Sequence, residues 1–119
     1  MGRRHDPSNL LDPPKNRSVA LRPDDVARLA ALAQSFDLPP HWTAIPRTLS
    51  AGTLLLVASP HPLTPPLTPI ALRIHLSSAA FRVLTRLAVQ HAAYNRFQRP
   101  SVSILLHAIA QGRLALVRP

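Results

Sequence analysis

The chain has 119 residues, 46% of them hydrophobic, and its 14 Lys and Arg against five acids give a formal net charge of +9. That length supports one modest core, or two small ones packed together, and the charge calls for an anionic partner. Nucleic acid is expected before a membrane, because no cationic amphipathic helix carries bulky aromatics. The absence of cysteine excludes disulfides and thiolate zinc sites, and three glycines do not make a Gly-rich phosphate cradle.

Residues 1–17 read as a basic, proline-containing leader whose Arg3, Arg4, Lys15 and Arg17 either form an arm that adds salt-sensitive affinity if DNA is bound or go unused. The first residues lack an apolar signal segment, and the longest apolar run, Thr53 to Ala58, is too short to span a bilayer. A cytoplasmic, nucleoid-associated protein is therefore expected, neither secreted nor bound to membrane.

Residues 18–58 read as an N-terminal helical unit. Val26, Leu29, Leu32 and Ala33 recur at helical spacing, and Asp24 and Asp25 behind Pro23 suit the positive end of a helix. The stretch from Phe36 to Ser59 admits no single assignment. Trp42, the one Trp, is expected to anchor its loop on the core. Residues 59–69, SPHPLTPPLTP, read as an extended polyproline linker.

Residues 70–119 read as strand, helix, loop, helix. Leu72, Ile74 and Leu76 alternate with Arg73 and His75, as in a strand with one covered face. Ser77 or Ser78 can cap the helix that follows, whose Phe81, Leu84, Leu87, Ala88 and His91 share a face opposite Arg82 and Arg86. The bland reading of that arginine pair is a solvated face. Arg99-Pro100 interrupts the pattern, Ser101 is a natural N-cap for Val102 to Gln111, and Gly112 is a natural stop.

The alternating strand ending Ile74-His75-Leu76, the Leu-Ser-Ser helix opening and the Pro-Ser-Val-Ser before the second helix resemble the ribbon-helix-helix family of DNA-binding regulators. The Ala92 to Gln98 connection is longer than the tight turn usual there. The resemblance implies an α+β, mostly helical fold in which two units pair their strands into an antiparallel ribbon that enters the major groove of double-stranded DNA. Arg73 and His75 would then read base edges, Arg73 more strongly because it can bond guanine O6 and N7 together. Arg99, Ser101 and Ser103 at the second helix would bind a phosphate.

The two halves of the chain also align with each other. Ser18-Val19-Ala20-Leu21 falls on Arg73-Ile74-His75-Leu76, LRPDDVARLAALA on LSSAAFRVLTRLA, Pro40 on Pro100, and Leu49 to Val57 on Ile109 to Val117. Two units in one chain would make a pseudo-dimer whose first strand pairs with its second. Asn16, Ser18 and Ala20 would be the first unit's groove-facing positions, a weaker reading set. Pro46 falls where Leu106 stands, so the first unit's second helix must be shortened or start at Pro46. The competing reading is a separate N-terminal helix.

Six histidines are present, yet no pair has the spacing that puts two metal ligands on one helix face. With neither cysteine nor glutamate, and with all five acids before Leu38, neither catalysis nor a metal or other cofactor is expected. The functional expectation is a sequence-specific regulator of repressor type. The alternative is a protein-interaction subunit, or an antitoxin-like component of a nucleoprotein assembly, that pairs with itself or with a protein partner.

Overall fold

The computed structural model describes residues 12–58, 69–95 and 99–119. Along them run β1 (Lys15–Leu21), α1 (Pro23–Ser35), α2 (Ala44–Ser50), β2 (Leu55–Ala58), β3 (Ile70–Leu76), α3 (Ser78–Asn95), α4 (Val102–Ala110) and β4 (Leu114–Val117). The fold is α+β, with four helices and two small antiparallel two-stranded sheets among the described residues. Element order β-α-α-β occurs twice. Each strand pairs across the two halves, β1 with β3 and β2 with β4.

Local chemistry accounts for the helix ends. α1 opens on Pro23, whose fixed φ suits a first helical position, and the Arg22 amide donates to Asp25 Oδ2 at 3.2 Å. It closes at Asp37, whose φ of 60° lets the Leu38 amide reach the Ala33 carbonyl at 2.9 Å. The Ser77 hydroxyl accepts from the Ala80 amide at 3.1 Å at the start of α3, and Ser101 caps α4 by accepting from the Ile104 amide at 3.2 Å. Asp12 adds a second cap to α3, its two carboxylate oxygens accepting from the Ser78 and Ala79 amides at 2.6 and 2.9 Å.

The second helices of the two halves end alike. Gly52 and Gly112 both take positive φ, at 80° and 75°. In each, the residue after glycine bonds back to the carbonyl five residues earlier, Thr53 to Thr48 at 3.2 Å and Arg113 to Ala108 at 2.8 Å. α2 is the shorter helix, and Pro46 is buried at its third position, where its missing N–H costs no intrahelical bond.

One core joins the two halves, and it is built from matching residues. Val19 and Ile74, Leu21 and Leu76, Leu29 and Leu84, Ala33 and Ala88, Ile45 and Leu105, Leu49 and Ile109, and Leu54 and Leu114 are all buried. Trp42 is 5% exposed and occupies the place of Val102, so its ring anchors the segment before α2. Neither half could cover its apolar strand and helix faces alone, which is why the strands exchange partners.

Several features depart from expectation. The ribbon strand begins at Lys15, so Lys15 and Arg17 belong to a strand rather than to a leader arm, and Asn16 lies on it at the groove-facing position the repeat alignment expected. The Leu55–Ala58 and Leu114–Val117 segments form a second sheet where no strand was expected. Asp25 does more than stabilise a helix start, because it is fully buried against α4. The proline-rich linker lies, but for Pro69, outside the described residues, and α3 runs on to Asn95, so the first four residues of the expected Ala92 to Gln98 connection are helical and the last three lie outside the described residues. No described helix is long and apolar enough to cross a membrane.

Candidate nucleic-acid interface

β1 and β3 have the same exposure along their length, with the last and third-last residues buried and those between them exposed. Period-two alternation sends Val19, Leu21, Ile74 and Leu76 inward and sends Asn16, Ser18, Ala20, Ala71, Arg73 and His75 to the opposite face. In the antiparallel register these outward residues stand in facing pairs, Asn16 with His75, Ser18 with Arg73 and Ala20 with Ala71. The result is an exposed ribbon face free of acidic residues.

Both expected base readers, Arg73 and His75, lie on this face and are exposed. Arg17 does not. Its guanidinium turns to the covered side, with Nη2 donating to Ser78 Oγ at 3.1 Å, Nε reaching the Leu76 carbonyl at 3.4 Å, and its Cζ 5.0 Å from the Phe81 ring centre. It ties β1 to the start of α3, a structural role beside the auxiliary DNA contact expected of it. Lys15 is exposed at the head of β1, and Arg3 and Arg4 lie outside the described residues.

The three expected phosphate-binding residues separate into different tasks. Ser101 is engaged as the α4 N-cap. Ser103 Oγ accepts from the Ala20 amide at 2.9 Å, so it fastens the first turn of α4 to the edge of the ribbon. Arg99 is exposed just before that turn. The positive end of the α4 dipole is thereby held beside the ribbon. Arg82 and Arg86 are exposed on α3, and Asp12 lies at the start of that helix, its carboxyl held below the usual carboxylate range by the Ala79 and Ser78 amides first and more weakly by Arg82.

Behind the ribbon, α1 and α4 are locked by a polar contact that sequence reasoning missed. His107 Nδ1 and Asp25 Oδ2 are 2.7 Å apart, both side chains buried, and Gln111 Nε2 donates to Asp25 Oδ1 at 2.7 Å. The corresponding positions of the other half hold Ala80, Arg47 and Ala51, so the lock exists on one side only. Its signal in the sequence was a histidine inside the apolar run of α4. Among the described residues, no three His or Asp side chains gather as a metal site would need.

No protein-family model, curated protein or solved structure matches the chain.

Proposed function

We propose that the chain binds double-stranded DNA as a sequence-reading regulator of repressor type, in a ribbon-helix-helix arrangement completed within one polypeptide. The observation that carries this reading is the exposed, acid-free face of the β1–β3 ribbon, with Arg73 opposite Ser18 at its middle. A two-stranded ribbon with strands about 4.8 Å apart fits a major groove about 12 Å wide. Arg73 presents a planar fork to guanine O6 and N7, and the α4 N-terminus with Arg99 grips the flanking phosphate. The net charge of +9 supplies the long-range attraction.

Amide chemical shifts on addition of a duplex test the placement. Changes confined to β1, β3 and the start of α4 support it, and changes centred on β2 and β4 sink it.

One observation favours the alternative, a protein-interaction subunit. The outer face of the β2–β4 sheet consists of Leu55, Val57, Ala115 and Val117, with Leu55 and Val57 47% and 45% exposed. A sheet face in water is ordinarily polar. Sedimentation of the protein with and without Leu55→Ser and Val57→Thr distinguishes the readings: self-association lost on substitution would show that this face is an interface.

A further inference from the structure

The ribbon face is not symmetric, and its asymmetry follows from the register. Ser18 and Arg73 are equivalent positions of the two halves and also face each other across the ribbon. The pseudo-two-fold relating the halves therefore passes between them. Two residues away on one side stand Asn16 and His75, and two residues away on the other stand Ala20 and Ala71. Under the pseudo-two-fold Asn16 corresponds to Ala71 and His75 to Ala20. A carboxamide and an imidazole thus occupy one end of the exposed face, and two methyl groups occupy the other.

We infer that the DNA site bound by a single chain is directional rather than palindromic. This rests on the DNA-binding reading above. Arg73 reads the centre, where guanine offers two acceptors. At the Asn16–His75 end, a carboxamide matches adenine N6 and N7, and an imidazole N–H can donate to guanine N7 or O6. At the Ala20–Ala71 end no side chain hydrogen-bonds a base, and a methyl can only favour the thymine methyl by apolar contact. That end is held by position instead, because the Ala20 amide bonds Ser103 Oγ and so carries the α4 N-terminus to the flanking phosphate. A homodimeric ribbon cannot divide reading and anchoring in this way, since each residue would appear at both ends.

The test is selection from duplexes with a random core of about ten base pairs, one helical turn, short enough for one ribbon. The full chain is used at physiological salt. The expected result is a core with strong preference at the centre and on one flank, roughly five- to 150-fold per base pair, and at most a thymine preference on the other. Asn16→Ala with His75→Ala should erase the preference on the strong flank and leave the centre. Ala20→His with Ala71→Asn, at exposed positions, should create a second strong flank that mirrors the first, while the centre stays one-sided because Ser18 still faces Arg73. A palindromic core with the unaltered protein would overturn directionality and leave DNA reading intact. Duplex binding with no enriched core, or no duplex binding, would overturn both.

Discussion

His107 Nδ1 meets Asp25 Oδ2 at 2.7 Å inside the protein, joining the start of α1 to the middle of α4 across the two halves of the chain. Removing either side chain deletes this contact from the core, although Asp25 keeps the Gln111 and Arg22 donors when His107 is removed. His107→Ala and Asp25→Ala are each expected to lower stability by about 3 kcal/mol in urea unfolding. The double variant Asp25→Ala with His107→Ala should lose less than the sum, as contacting residues do not add. Additive losses would show that the contact does not couple the halves.

Gly52 and Gly112 end α2 and α4 with positive φ, and beyond the glycine and its chain neighbours no heavy atom stands within 4 Å of the place a Cβ would take at either. Substitution to Ala therefore tests backbone conformation without a clash. Each variant is expected to lose about 1 kcal/mol. Equal losses, read from thermal midpoints, would confirm that the two ends are equivalent structures.

Asp12 is held below its ordinary value of 3.8, chiefly by the Ala79 amide and next by that of Ser78. A carboxyl with a depressed folded value stabilises the fold above its unfolded value, and that stabilisation is lost as pH falls through the folded one. Asp12→Asn should therefore lower the thermal midpoint at neutral pH, and the difference from the unaltered protein should vanish well below pH 3.8.

His91 carries the opposite charge logic. Burial pushes its imidazole below the ordinary value near 6.5. Between that value and the lower folded one, the unfolded chain binds a proton that the folded chain does not, so stability should decline as pH falls below about 6.5. His91→Gln should flatten this part of the profile in thermal melts between pH 7 and pH 5, a window set by the unperturbed histidine value of about 6.5.

The sequence made the helices and the ribbon strand of the second half readable because its apolar positions keep one period and its caps are local. Ser101 and Gly112 stand where those rules place them. The alignment of the halves also placed the matched core, since Leu29 with Leu84 and Ala33 with Ala88 needed only helical spacing. Three things escaped. Lys15 and Arg17 read as leader residues because exposed polar residues opening a strand look like any basic arm. β2 and β4 are short apolar runs of four residues, which are defined by each other and by no periodicity of their own. The Asp25–His107 contact joins residues distant in the chain, and nothing local to either announces the other.

Arg17 bonds Ser78 and lies over Phe81, whereas Arg73 is exposed and has a defined place on the ribbon face. The two arginines should therefore part company experimentally. Arg17→Ala is expected to lower stability by about 1 kcal/mol. Arg73→Ala should leave the unfolding free energy within about 0.5 kcal/mol of the unaltered protein, as for other exposed substitutions.

The central claim is that the β1–β3 face reads DNA, and its most direct test is a mobility-shift titration on a selected duplex against scrambled competitor at physiological salt. The unaltered protein, Arg73→Ala and the exposed single-charge control Arg86→Ala are compared. The account expects competitor-resistant binding by the unaltered protein and by Arg86→Ala. It expects preference for the selected duplex to fall roughly five- to 150-fold in Arg73→Ala. Equal loss of preference in both variants, or binding that competitor removes equally from all three proteins, would contradict it.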